Sequence, residues 1–310
     1  MAEHVVCYSK FRRLSARCQQ VIPRRRRHTG GAIDPVARAL AAKLPALLGQ
    51  PLVIDNRPGA NTAIAAGAVA RADDAYTLLL TSTNTHAIHT IQAPRGYDAI
   101  TGFTPIAGVS RGDFLMAINA SIPATTLPEF IAYAKARPGQ ISAGAASLGN
   151  ADHLSAELFK LATGVELTTV AYKGAGPALL DLLAGRVQMM ITTKSLVQSH
   201  IDAGKLRMLA YTDRPADQPG VPTFAQHGLK DFDTFGLMTM VLAPPNMPAP
   251  VVAKLTAAIQ RALETPETQA ALAAVNQRAA YLSPSDLRAR MVSDGTRFAD
   301  IIQKARIKFE

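Results

Sequence analysis

Tryptophan is absent from this 310-residue chain, and aromatic side chains make up only 5% of it. That scarcity argues against a sandwich or barrel, while the abundance of Ala, Leu and Val suits helices packed on a sheet of small residues. Cysteine occurs twice, at Cys7 and Cys18, so nothing after residue 18 can form a disulfide, a thiolate metal site or a cysteine nucleophile. No run of about 18 apolar residues occurs, so no membrane-crossing helix is expected. What is present is a chain with 48% hydrophobic and 18% charged residues, able to bury one large core or two moderate ones, which excludes wholesale disorder.

The net charge of +10 suggests an acidic polymer as partner until it is located. Residues 1–28 hold eight basic side chains, including Arg24, Arg25, Arg26 and Arg27, against Glu3 alone, so +7 lies there and +3 on the remaining residues. The rest of the chain is nearly neutral and no nucleic-acid partner is expected. Residues 1–28 have charge but no apolar run of about 7–15 residues, so they do not read as a secretory signal. They are expected to be an atypical basic leader, disordered or not the native opening; contact with phosphate or anionic lipid is the alternative.

Beyond residue 28 the pattern alternates. Asp34 caps a helix with Pro35 at its first position, and Gly49 ends it. Pro51–Asp55 reads as a strand, Thr62–Arg71 as an Ala-rich helix, and Tyr76–Leu80 as a strand. An irregular segment follows from Ile88 to Gly112. A second series runs from a helix at Leu127–Arg137 through the strands Ser142–Ala146, Thr168–Tyr172, Val187–Ile191 and Met208–Thr212, with helices between them. The strand Leu237–Ala243 then leads into the closing helices. Alternating strands and helices predict an α/β class with parallel pairing and crossover helices. Two lobes are expected, 29–112 plus 240–310 and 113–239, with crossings near 112–118 and 236–243.

Three loops enter helices with Gly-rich or hydroxyl-rich sequences: Thr29–Asp34, Ser147–His153 and Tyr172–Pro177. Helix N-termini offer unpaired N–H donors, and glycine lets a ligand come close, so each could cradle a carboxylate or phosphate. An ordinary strand-to-helix turn, with Asp34 or Asn150 simply capping, explains each loop equally well. The run Thr81-Ser82-Thr83-Asn84-Thr85 is denser in hydroxyls than capping requires, so at least one of those side chains, Ser82 or Thr83, is expected to face a ligand. Enzyme motifs are weak. Gly108-Val109-Ser110-Arg111-Gly112 satisfies the string of a nucleophile elbow, but strand-like residues follow it where a helix is needed. Gly174-Ala175-Gly176 lacks the third glycine of a dinucleotide site, and no zinc or Walker A pattern occurs.

The string Gly49-Gln50-Pro51-Leu52-Val53-Ile54-Asp55-Asn56-Arg57-Pro58-Gly59-Ala60 resembles the signature of the Bug family, the periplasmic solute receptors of tripartite tricarboxylate transporters. Leu148–Leu154, Ala171–Leu179, Ala203–Arg207, Gly220–Phe224 and Ala243–Val252 resemble further blocks of that family in the same order. The resemblance covers about residues 29–310. It implies a type II periplasmic-binding-protein-like α/β fold, with two α/β lobes joined by two crossing strands, closing on a small organic carboxylate. It also implies a monomeric, non-enzymatic receptor with no cofactor or metal, located in the periplasm and working with membrane transporter subunits. Carried over residue by residue, the ligand contacts are Gly30, Gly31, Ala32 and Asp34, with Thr81, Ser82 and Thr83, on one lobe. On the other they are Ser147, Gly149, Asn150 and His153, with Lys173, Gly174 and Ala175. The four arginines before Gly30 and Gly31 depart from the family's apolar opening, so the first 28 residues are expected to differ from the native start. Other readings of the same residues are an intracellular ligand-sensing module on this fold and an α/β hydrolase using Ser110.

Overall fold

The computed structural model describes residues 5–8, 33–57, 62–83, 86, 96–213 and 220–307. Its strands form two sheets. The first contains β1 (Val5–Tyr8), β2 (Val53–Asn56), β3 (Thr77–Ser82), β4 (Thr104–Gly112), β10 (Leu237–Ala243) and β11 (Gln277–Leu282), in the order β11-β4-β10-β3-β1-β2. The second contains β5 (Phe114–Asn119), β6 (Ile141–Ala145), β7 (Leu167–Ala171), β8 (Met189–Thr193) and β9 (Leu206–Tyr211), in the order β7-β6-β8-β5-β9.

Helices cover both faces of each sheet. In the first lobe α1 (Asp34–Leu48), α7 (Ala249–Leu263) and α8 (Pro266–Ala273) pack on one face, with Leu40, Leu44, Leu78, Leu80, Val241 and Ile259 buried among them. The opposite face holds α2 (Ala63–Ala70) and the start of α9 (Pro284–Lys304), through Leu79, Met240, Leu242, Leu287 and Met291. Leu78 and Leu80 thus face one way and Leu79 the other, as the period-two pleat of β3 requires. In the second lobe α3 (Leu127–Lys135) and α4 (Ala151–Thr163) lie on one face, and α5 (Ala175–Leu183) and α6 (Lys194–Asp202) on the other.

The chain crosses between sheets twice. β4 runs into β5 through the single residue Asp113, and residues 212–236 lead from β9 back to β10. Two further observations revise the sequence reading. The sequence pattern places 240–310 wholly in the first lobe, but Phe298, Ile301 and Ile302 of α9 lie in the core of the second. One helix therefore carries apolar residues of both cores: Leu287 and Met291 serve the first, Phe298, Ile301 and Ile302 the second, and the buried Asp294 and Gly295 lie between the two groups. Within the leader, residues 5–8 form a strand rather than a disordered segment, antiparallel to both β2 and β3. β2 and β3 each have a row of backbone donors and acceptors on that side, and a β-prone Val-Val-Cys-Tyr segment satisfies both rows.

The interval read as irregular, 88–112, contains the nine-residue β4, whose two proline- and glycine-bearing stretches hid it. Its pairing with β10 slips at Thr239/Met240 and Val241/Leu242, and Gly108 sits where an added Cβ would lie 2.8 Å from the Leu282 side chain. Bulges and close backbone approach are what glycine in a strand provides.

Candidate functional site

Strand register places candidate residues of each sheet at the edge next to the crossings. β6 is parallel to β7 and β8, and β8 is antiparallel to β5, with Phe114 level with Thr193. The carboxyl ends of β6, β7 and β8 therefore share the edge at which β5 enters from the first lobe. On the other side Ser82, at the end of β3, is level with Thr239, and Leu237 of the same strand is level with Gly112. Thr81, Ser82 and Thr83 thus lie at the edge next to the crossings.

In the second lobe each of those three strands leads into a helix. α4 is capped by Asn150, whose side-chain oxygen accepts from the His153 amide at 2.9 Å. α5 follows Gly174 and α6 follows Thr193, and neither start has a side-chain cap. Their first-turn N–H groups keep their donor capacity. The loops are tied together: Tyr172 N–H donates to the Ala145 carbonyl at 2.9 Å, and Gly174 N–H to that of Ala146 at 2.8 Å. Ser147, Gly149, Asn150, His153, Gly174 and Ala175 are accordingly neighbours on one edge, and Lys173 projects exposed from it. Gly149 and Gly174 have φ of 71° and 124°, conformations that favour glycine.

Two buried titratable groups stand at the start of α4. The His153 ring is 6% exposed and its Nδ1 has no partner. Burial pushes its pKa down and Lys160 adds to that, against the pull of Glu157. Asp152, which the sequence reading passed over, is 7% exposed. Its carboxyl accepts from the Ala146 amide and from Thr192 Oγ1 at 3.4 Å, and burial lifts its pKa to about 7.

In the first lobe Asp34 is not the cap of α1 but its first residue, with Ile33 before it and no side-chain cap. Its carboxylate is already engaged, accepting from Arg38 Nε at 2.7 Å and Nη2 at 3.3 Å, and from Asn56 Nδ2 at 3.1 Å. That ties the start of α1 to the end of β2. Gly30, Gly31 and Ala32 lie outside the described residues. Thr81, Ser82 and Thr83 are all buried, and the Thr81 hydroxyl has no partner.

Ser110 does not sit on an elbow. It lies inside β4, fully buried, and donates to Gln277 Oε1 at 2.7 Å, which removes the structural basis of the hydrolase reading. The sequence reading also missed a charged cluster at the crossings. Asp113 accepts from Arg278 at 2.6 Å and has Lys194 at 3.9 Å, while Arg111 pairs with Asp213. These residues come from elements far apart in the chain, so no local motif announces them.

A family model described as "Tripartite tricarboxylate transporter family receptor" matches residues 36–307. The chain belongs to this family. Among relatives of this receptor, BugT of Bordetella pertussis (strain Tohama I) is 34% identical over 286 residues, covering 91% of this chain and 87% of BugT. The solved periplasmic binding protein BugD superposes with a TM-score of 0.76 at 30% identity, covering 91% of this chain and 96% of that one. R. palustris Rpa4515, solved with adipate, gives a TM-score of 0.78 at 33% identity, with coverage of 90% and 94%. The two-lobed α/β architecture is therefore that of periplasmic binding proteins, and the chain is a solute-binding receptor by family.

Proposed function

We propose that this chain is a periplasmic, monomeric receptor that closes its two lobes on a small organic carboxylate and delivers it to the membrane subunits of a tripartite transporter. The observation that supports this reading is that three helix starts of the second lobe, two without side-chain caps, follow strand ends at the edge next to the crossings, as the hydroxyl-bearing end of β3 does in the first sheet. Such an edge offers N–H and O–H donors, which suit a carboxylate oxygen. A relative solved with adipate supports the ligand class. In this reading Ser147, Gly149, Asn150, His153, Lys173, Gly174 and Ala175 hold the ligand from the second lobe, and Thr81, Ser82 and Thr83 from the first. Gly30, Gly31 and Ala32 complete the first-lobe side, while Asp34 contributes through the helix backbone, since its carboxylate would repel an anion. A ligand that grips both edges binds the shut form better than the open one, and that difference drives closure.

The test is a thermal-shift screen of di- and tricarboxylates, acidic amino acids and aromatic acids. At least one is expected to raise Tm in a concentration-dependent way. If none does, the receptor reading is overturned. Fractionation of cells expressing the native gene should place the protein in the periplasm; a cytoplasmic protein would favour the ligand-sensing module.

A further inference from the structure

Asp294 is 0% exposed, and only one of its carboxylate oxygens is satisfied. Oδ1 accepts from Arg290 Nε at 2.7 Å, and the Thr83 side chain is hydrogen-bonded to the same carboxyl, yet Oδ2 has no partner among the described residues. Burial pushes this carboxyl's pKa up, against the effects of Arg290 and Thr83. A buried carboxyl with an idle oxygen is costly, and well-packed apolar residues of similar volume would avoid that cost. Packing alone does not account for it.

Its position does. Thr81 and Thr83 continue the face of β3 that begins at Leu79, the face covered by Met291 of α9, and Asp294 lies one turn further along the same helix stripe. From there the contacts lead out of the first lobe. Arg290 Nη2 reaches the carbonyls of Asp233 at 3.4 Å and Thr234 at 3.5 Å. Arg297, on the next turns, grips the Asp233 carboxylate at 3.1 and 3.2 Å and Thr234 Oγ1 at 2.8 Å. Asp233 and Thr234 belong to the short 3₁₀ turn Phe232–Phe235, immediately before Gly236 and β10. Phe235 packs edge-on against Phe298, at a centroid distance of 5.3 Å. An unbroken series of contacts therefore joins the hydroxyl end of β3 to the second crossing, by way of one helix that belongs to both cores.

We propose that Asp294 is a positioning residue that couples ligand contact at Thr83 to the second crossing through Arg290, and so makes lobe closure respond to the ligand. This rests on Thr83 being a ligand contact, as the proposed function holds. A ligand oxygen that engages the Thr83 hydroxyl changes what that hydroxyl gives Asp294. The carboxylate then draws on Arg290 differently, and Arg290 is the group holding the carbonyls next to Gly236. Contiguity alone does not establish coupling; a two-site thermodynamic measurement does.

The experiment is a double-mutant cycle on the full chain with Thr83→Val and Asp294→Asn, titrated calorimetrically with adipate, succinate and citrate. Ligand-induced compaction is followed by small-angle scattering. Each single variant is expected to weaken the tightest ligand about tenfold, the double variant no more than either, and Asp294→Asn to shrink the compaction. If the two effects multiply to about a hundredfold, or Asp294→Asn binds and compacts as wild type, the coupling is overturned. Should Asp294→Asn fail to fold, Arg290→Lys keeps a cation beside Asp294 but loses the fork that reaches two carbonyls. It is expected to reduce compaction, and wild-type compaction would overturn the proposal. If a ligand binds but Thr83→Val is silent, the Thr83 contact fails and the coupling with it, while the receptor reading stands. If no ligand binds wild type, the receptor reading itself falls.

Discussion

Asp152 makes the stability of this receptor depend on pH in an unusual direction. Burial disfavours the charged form and pushes its folded pKa up to about 7, from the 3.8 of an unperturbed aspartate. Between those values the native state holds a proton that the unfolded chain has released. The contribution is therefore fully present below the unfolded pKa, declines as pH rises, and is gone above about 7. At ~1.4 kcal/mol per pH unit, the whole window is worth about 4 kcal/mol, and the part between pH 5 and pH 8 about 3 kcal/mol. Asp152→Asn keeps the shape and has no proton to lose. Urea unfolding of both proteins from pH 5 to pH 8 should show wild type losing about 3 kcal/mol relative to the variant. Parallel pH profiles would mean that Asp152 is solvated or ionised in the native state, and the reasoning from burial would fail.

Two further substitutions probe the fold and the rejected chemistry. Phe298→Ala should cost about 3–5 kcal/mol by calorimetry, because the ring is fully buried in the second core although the chain around it has just left the first; a loss below about 1 kcal/mol would detach α9 from that core. Ser110→Ala should cost about 1 kcal/mol through the lost bond to Gln277, with ligand affinity unchanged. An esterase activity present in wild type and absent from this variant would revive the nucleophile.

Most of the second lobe was legible because its signals are local. Asn150 before Ala151, Gly164 after Thr163 and the apolar runs between them mark α4 and its neighbours, and the helix starts follow from the strand ends. The first lobe was harder. β4 reads as loop because Pro105, Gly108 and Gly112 interrupt it, and its strand character comes from lying between β10 and β11. β11 carries Gln277 and Arg278, whose partners Ser110 and Asp113 are remote in sequence. Candidate contacts on single loops could be named in advance, but Asp152, Asp294 and the charged crossing could not. Their significance lies in burial and in contacts between distant elements, and neither leaves a local pattern.

The strand order also dictates the sequence of assembly. β10 stands between β3 and β4, yet the entire second sheet, residues 114–211, separates it from them along the chain. During synthesis β3 and β4 must wait, with one edge each unpaired by β10, until residue 243 has emerged, whereas every strand of the second sheet is available by residue 211. Closing the first sheet requires the chain to bring together segments more than a hundred residues apart, the slow, high-contact-order kind of pairing. The sheet that begins the chain is thus the last that can be completed, and its waiting strand edges are the part of the nascent molecule most open to unwanted pairing.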